Sequence, residues 1–263
     1  MTRVSDLVRP LALCAAAALF IVASACGGTK ANLPAPGSVE ADKYLFEHGT
    51  DAIAKKHWLA AREYFKKLVD TYPQSQYRQD AKLGIGDSYV GENTVESNVL
   101  AANEFREFLS YYPLNPRADY AQYRIGLALS KQMLGPDRDL SPTLDAIKEF
   151  DHFLQVYPNS KYKGDVQALR RKAQDQVSGH DYKVGEQYFR IRWWPGAIDR
   201  FKSLLATDPE YTRRDAVYFY LAESLHGAKL DAEALPYYDK LIQEFEKSEY
   251  LDKAKKRLAL LKK

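Results

Sequence analysis

The feature of this chain that most restricts its fold is a helical pattern that recurs five times. In the copy at residues 145–162, Ala146, Phe150, Phe153 and Tyr157 follow one another at intervals of four, three and four. Such intervals place side chains on one face of a helix, and the proline after the tyrosine ends it. The other copies begin at Ala61, Ala101, Ala197 and Ala234. Because one such helix cannot bury its apolar face alone, the recurrence predicts stacked helical repeats.

A second apolar helix precedes each copy and carries a small residue at its centre. The small residues are Gly49, Gly86, Gly126, Gly185 and Ala222. A glycine inside a helix costs up to about 1 kcal/mol, which is tolerated where a neighbouring helix must approach closely. Each unit is therefore predicted to be a helix A, a turn and a helix B, with the small residue where A and B cross.

The combined pattern, L-G-x-x-Y followed by A-x-x-x-F and then proline, is similar to the tetratricopeptide repeat. The resemblance implies an all-α fold, a right-handed superhelix of five tetratricopeptide (helix–turn–helix) repeats with a C-terminal capping helix. The predicted repeats cover about 42–75, 79–116, 119–161, 178–211 and 215–248, the cap covers 249–262, and the whole repeat domain covers 40–262.

Three segments depart from the regular repeat length. Repeat two has three extra residues near Glu92–Glu96, and repeat three has eight within Met133–Pro142, so both A–B turns are predicted to be longer. Lys161–Val177 remains between repeats three and four. It suits either a separate helix or an extension of the next A helix, despite Gly179.

Residues 1–25 have the features of an export signal. Arg3 and Arg9 precede the apolar run Leu11–Val22, and small residues follow it. This run is too short to cross a bilayer, which takes about 20 residues. We therefore expect residues 1–25 to be a signal peptide.

Cys26 would be the only cysteine left after export, because Cys14 lies within the signal. The small residues before Cys26 resemble the lipobox of bacterial lipoproteins, although Ala23 stands where that class usually has leucine. The resemblance implies acyl chains such as palmitate on Cys26, an anchor at the periplasmic face of the outer membrane and a flexible tether over 26–39. Ordinary cleavage that leaves a free thiol is the alternative.

Charge and motif content argue against nucleic-acid binding and catalysis. The formal charge is only +3, and the five histidines lack metal-ligand spacing. Gly86-Asp87-Ser88 resembles the nucleophile block of GDS-type lipases, but Ser88 falls within a predicted helix rather than in a turn after a strand. We expect no enzyme, no metal and no cofactor beyond the covalent lipid.

Aromatic and charged residues of the A helices are predicted to line an inner groove. The groove residues are Phe46, Asp87, Tyr120, Tyr123 and Lys131. This mixture suits an extended peptide that carries aromatic side chains. The alternative for each residue is packing between repeats.

The signal, tether and repeats together resemble the BamD family of outer-membrane protein assembly lipoproteins. The most specific matches are the lengthened turn with Asp137-Arg138-Asp139 and the segment YPNSKY that ends at Tyr162. The resemblance implies a non-enzymatic scaffold of the β-barrel assembly machinery (the BAM complex). Its N-terminal repeats would recognise the aromatic-ended C-terminal segments of unfolded outer-membrane proteins. Its C-terminal repeats would dock on the periplasmic domains of a BamA-type barrel subunit, with accessory lipoproteins as further partners.

A partner interface is predicted in repeat four. Arg200 matches a family position that contacts the barrel subunit, and Trp193 and Trp194 would anchor the interface if exposed or fill the A–B turn if buried. The full predicted interface comprises Arg200, Trp193, Trp194, Tyr182, Phe189 and Arg190. The alternative function is a periplasmic repeat protein that coordinates cell-wall synthesis or envelope constriction.

A basic cluster marks the C-terminal end of the chain. It comprises Lys253, Lys255, Lys256, Arg257, Lys262 and Lys263. We interpret it as the solvated cap of the repeat array, since cations near a helix C-terminus are favourable. Contact with anionic lipid or with an acidic partner is the alternative.

Overall fold

The computed structural model describes residues 33–35, 37–38 and 40–262, and every regular element in these ranges is an α-helix. The helices are α1 Ala41–Ala54, α2 Trp58–Thr71, α3 Arg78–Glu92, α4 Val95–Tyr111, α5 Ala118–Ser130, α6 Ser141–Val156, α7 Lys163–Arg190, α8 Trp194–Thr207, α9 Arg214–Gly227, α10 Asp231–Glu244 and α11 Leu251–Leu261. The predicted all-α, helix–turn–helix fold is confirmed. The predicted signal, Cys26 and most of the tether lie outside the described residues.

The chain divides into two compact units, one ending at Asn93 and one beginning at Thr94. In the first unit, α1, α2 and α3 enclose a core that includes the fully buried Leu45 and Leu68. In the second unit, the core of α7 to α11 is built around Phe201, Leu221 and Tyr238. None of the described helices has both the length and the apolar character needed to cross a membrane.

Glycine faces a B-helix aromatic in both units, as the sequence predicts. A Cβ added to Gly49 would lie 2.5 Å from the ring of Phe65 in the first unit. In the second unit, the corresponding distance from Gly185 to the Phe201 ring is 2.6 Å. These distances are far below van der Waals contact, so a side chain at either glycine would push helices A and B apart.

Helix α7 resolves the status of the segment Lys161–Val177. It runs without interruption over 28 residues, so the extra segment and the fourth A helix form one continuous helix. Gly179 does not break α7. It is buried, and a Cβ at Gly179 would lie 3.2 Å from Cβ of Pro136 in the lengthened turn of repeat three.

The predicted longer turn in repeat two is wrong. Helix α3 ends at Glu92 and α4 begins at Val95, so the extra residues lengthen the helices instead. Thr94 starts α4 with a capping box: its Oγ1 accepts from the N–H of Ser97 at 3.0 Å, and its own N–H donates to Ser97 Oγ at 2.8 Å. This reciprocal pair satisfies two free backbone groups at the start of α4.

A serine in the loop after the B helix joins the two ends of repeats one, three and five. Its hydroxyl donates to an aspartate in the first turn of the A helix of the same repeat, and its oxygen accepts the N–H of a tyrosine two residues on. The pairs are Ser75–Asp42 at 2.7 Å, Ser160–Asp119 at 2.7 Å and Ser248–Asp215 at 2.6 Å, with the N–H of Tyr77, Tyr162 and Tyr250 at 3.1 Å. This bond fixes where the next helix starts.

Candidate peptide-binding and partner-binding surfaces

Two of the predicted groove tyrosines meet a third tyrosine in the second unit. The ring of Tyr123, on α5, stacks on that of Tyr162 with centroids 5.0 Å apart and planes at 8°. The ring of Tyr120 lies 5.6 Å from the same Tyr162 ring. All three side chains are half-buried, so each ring keeps an accessible part. We call these three residues the tyrosine cluster.

Cations surround the tyrosine cluster. The guanidinium carbons of Arg117 and Arg124 lie 4.9 and 5.5 Å from the centroid of the Tyr120 ring, and Lys161 Nζ lies 5.0 Å from that of Tyr162. The rings attract aromatic groups, and the cations on their faces attract acidic groups. The cluster therefore has the chemistry to hold an aromatic peptide side chain beside a carboxylate.

Burial affects the titration of two predicted groove residues. It raises the pKa of Tyr123, with the nearby charge of Asp165 acting in the same direction. It lowers the pKa of Lys131, and Arg124 adds to this effect by repulsion. The hydroxyl of Tyr123 therefore keeps its proton, and so stays a hydrogen-bond donor, across the physiological pH range.

In the first unit, Phe46 occupies the corresponding place. Its half-buried ring stacks on Tyr77 at 4.9 Å and 16°, and lies 6.1 Å from the ring of Phe65. Asp87 lies half-buried on α3. Phe46 thus packs within its unit and also leaves part of its ring accessible.

The stacked tyrosine is a recurring element that the sequence analysis missed. Tyr77 on Phe46, Tyr162 on Tyr123 and Tyr250 on Phe219 are equivalent pairs, the last at 4.8 Å and 23°. An S-x-Y pattern after three B helices and a D-x-x-x-[F/Y] pattern in the A helices could have revealed it. In repeat four an arginine replaces the tyrosine: the Arg213 guanidinium carbon lies 5.0 Å from the Tyr182 centroid.

Three of the predicted partner-interface residues are exposed on repeat four. Trp193 is 51% exposed and meets Tyr188 edge to face at 4.5 Å. Arg200 is exposed and lies 3.7 Å from Asp181, a distance at which an ion pair in water is weak. Arg190 is exposed and pairs with Glu186, one turn earlier, at 3.1 Å.

The other three predicted interface residues take part in packing. Trp194 lies against Gly227, where an added Cβ would be 2.6 Å from its ring, and its ring meets that of Phe189 at 5.6 Å. Tyr182 is only 4% exposed, and burial strongly raises the pKa of its hydroxyl. The structure therefore assigns Tyr182 to the core and leaves Trp193, Arg190 and Arg200 as the accessible members of the set.

The serine of the Gly86-Asp87-Ser88 motif lies in the interior of helix α3. Ser88 is fully buried within α3, and its hydroxyl donates to the carbonyl of Ile85 at 2.6 Å. A serine oxygen in this position is out of reach of a substrate. Among the described residues, no group of three or more histidine, cysteine, aspartate or glutamate side chains is arranged to hold a metal ion.

Comparison with known proteins places the chain among outer-membrane lipoproteins. The model of the family "YfiO: Outer membrane lipoprotein" matches residues 39–234. The outer membrane protein assembly factor BamD of Caulobacter vibrioides is 27% identical over 82% of this chain and 71% of its own length. BamD of Haemophilus influenzae is 26% identical over 86% of both chains. BamD of Neisseria meningitidis serogroup B is 24% identical, and this chain spans 64% of its length.

Among solved structures, the chain is similar to the TPR2AB domain of yeast Sti1, with 14% identity, a TM-score of 0.47 and coverage of 85% of this chain and 84% of that one. The relatives named above are assembly factors, in agreement with the expectation of a non-enzymatic protein. Because the family model matches well over half of its residues, the chain belongs to the YfiO family of outer membrane lipoproteins.

Proposed function

We propose that this chain is a lipid-anchored, non-enzymatic scaffold for the assembly of outer-membrane proteins. The observation that carries the proposal is the family match over residues 39–234, together with relatives named outer membrane protein assembly factor. The fold supports it, since helical repeats present extended surfaces for peptides and domains. None of these observations favours a role in cell-wall synthesis or envelope constriction.

For client recognition, we infer that the tyrosine cluster holds aromatic segments of unfolded outer-membrane proteins. Half-buried rings offer apolar contact at a low cost in side-chain entropy, because they are already fixed by stacking. Phe46 in the first unit has the same character. The cations beside Tyr120 and Tyr162 suit acidic groups on the same client segment.

For partner docking, we infer that Trp193 and Arg200 contact the periplasmic domains of the BamA-type barrel subunit. Exposed tryptophan and arginine are the residue types that most often dominate binding at protein interfaces. Arg200 has only a distant carboxylate neighbour, so a partner carboxylate could pair with it at little cost. The lipid anchor on Cys26 would keep both surfaces at the periplasmic face of the outer membrane.

Site-specific photo-crosslinking in cells tests the two surfaces. A benzoylphenylalanine at Tyr123 should capture unfolded outer-membrane proteins, and one at Arg200 should capture the barrel subunit. The reverse pattern would overturn the division of roles. Depletion of the protein should also lower the level of folded barrels in the outer membrane, and unchanged levels would contradict the proposed function as a whole.

A charge reversal provides a matched comparison. Arg200→Glu should reduce recovery of the barrel subunit in pull-downs about tenfold, because a complementary charge becomes a repulsive one. Lys255→Glu, on the exposed face of α11, changes charge equally and should leave recovery unchanged. Equal recovery with both variants would remove Arg200 from the interface.

A further inference from the structure

A cavity of about 250 Å³ opens in the second unit, where three segments meet. Pro136, from the turn between α5 and α6, forms one side. Helix α7 forms the floor from Lys172 to Lys183, and Tyr211 to Arg213, in the loop after α8, form the other side. We call it the α7 pocket.

The walls of the α7 pocket are held by hydrogen bonds and an ion pair. The turn is attached to α7 by His180, whose Nδ1 lies 2.8 Å from the carbonyl oxygen of Pro136. The loop is attached through the buried Asp208, which accepts from Arg171 Nη1 at 2.8 Å and also from Ser178. The pocket is therefore formed before any ligand arrives.

The charge in the α7 pocket is positive. Its lining includes Lys172, Lys183 and Arg213, while its only lining carboxylate, Asp175, already accepts from Arg171 at 2.9 Å. Lys183 lies 3.3 Å from Asp137, and both of these side chains are about half exposed.

Two cations of the pocket remain available for a ligand. Within the described part of the chain, neither Lys172 nor Arg213 makes an ion pair. Arg213 instead lies over the Tyr182 ring, which leaves the edge of its guanidinium free to donate. A guanidinium fixed on a ring matches the two oxygens of a carboxylate.

We propose that the α7 pocket binds an acidic residue within an extended peptide segment of a partner protein. The volume is below the range of small-molecule and cofactor sites, roughly 300–1,000 Å³, and fits a single side chain. The tyrosine and proline walls suit the aliphatic part of aspartate or glutamate, and the two free cations suit its carboxylate. The proposal is independent of the assembly role, because it depends only on the charge and shape of this pocket.

The test is a titration of the full chain with short, end-blocked fluorescent peptides that carry aspartate between alanine and tyrosine residues. Twin peptides carry asparagine instead. The acidic peptides should bind, and more weakly as salt rises. Lys172→Glu should weaken this binding about tenfold, and Arg213→Gln should weaken it in the same direction, whereas Lys255→Glu should have no effect.

Several outcomes would overturn the proposal. These are no binding of the acidic peptides to the unaltered chain, equal binding of the asparagine twins, or equal binding by Lys172→Glu. Phosphatidylglycerol vesicles form a further arm, and loss of vesicle binding in Lys172→Glu with peptide binding intact would identify a lipid site instead. Circular dichroism confirms the fold of each variant, and Lys172, being exposed, can change without loss of packing.

Discussion

In repeats one, three and four, the B-helix aromatic is buried against a glycine of the A helix, which has no side chain in the way. At Gly126, an added Cβ would lie 2.4 Å from the ring of Phe150, which is fully buried. In repeat five, where Ala222 takes the place of the glycine, Ala222 and the B-helix aromatic Tyr238 belong to one buried core, and the Tyr238 hydroxyl donates to Glu223 at 2.6 Å. The glycine at this place thus leaves room for the aromatic ring of the next helix.

We expect Gly126→Ala to lower the free energy of unfolding by about 1–3 kcal/mol, because the methyl group overlaps a ring that cannot move. Gly164→Ala is the matched control. Gly164 lies near the start of α7 with open space around it, so alanine there should raise stability by about 0.5–1 kcal/mol. Urea denaturation of the two variants measures the difference, and similar stability of both would contradict the close-contact explanation.

The contacts between the A-helix glycine and the B-helix aromatic were predictable from the sequence, because both residues recur at the same place in their helices. The stack of Tyr162 on Tyr123 was not recognised, since it joins two elements whose separation varies with turn length. The exposure of Trp193 and the partial burial of Trp194 were also left open, because adjacent residues at a helix start face different environments. The contact of Trp194 with Gly227 is what covers this tryptophan and leaves Trp193 as the exposed one.

At the scale of elements, the extra length of α7 accounts for an unusual residue in the loop after α8. Asp208 stands directly after the B helix, where the other repeats have an aromatic residue, so in the sequence it looks like an exception to the pattern. It is buried and held by Arg171, in the part of α7 that no other repeat has. The pair could not be predicted, because its members lie 37 residues apart in no shared motif.

Asp208→Asn should destabilise the protein in a pH-dependent way. Burial opposes ionisation of Asp208, but hydrogen bonds from Arg171 and Ser178 outweigh it and hold its pKa below the ordinary value. A depressed pKa stabilises the fold above the unfolded-state pKa, about 3.9, and this stabilisation is lost as the pH falls through the folded-state pKa. At neutral pH we expect the variant to be less stable by about 3 kcal/mol, because Arg171 loses its buried partner.

Unfolding curves at pH 7 and at pH 3 measure this effect, and the gap between the variant and the unaltered chain should narrow in acid. Asp199→Asn, at an exposed position of α8, is the control and should change little at either pH. A gap that stays constant with pH would show that the carboxylate charge is not the cause.

At the scale of the whole molecule, the main packing within each unit joins helices that are one or two places apart along the chain. The cap follows this rule. Arg257 of α11 donates to both oxygens of Glu223 on α9, at 2.8 and 2.9 Å, and Lys262 lies 3.4 Å from Asp239 on α10. Two members of the basic cluster therefore make ion pairs, although the cluster as a whole was interpreted as solvated.

Nearest-neighbour packing implies that damage at the cap stays close to the cap. Arg257→Gln should cost about 1–2 kcal/mol and raise amide hydrogen exchange in α9 to α11. Exchange in α1 to α3 should stay the same, and Lys255→Gln should alter neither region. Hydrogen exchange with mass spectrometry checks this, and an equal rise along the whole chain would show that unfolding is fully cooperative.

The uninterrupted course of α7 has a mechanical consequence. At about 1.5 Å per residue, its 28 residues form a rod about 42 Å long that joins the segment after repeat three to the A helix of repeat four. Within α7 there is no loop to act as a hinge, so a push by the Pro136 turn on Gly179 is carried along a rigid helix to Phe189 near its end. A ligand that tightened the α7 pocket would thereby change the support that Phe189 gives to Trp194, at the base of the exposed partner surface.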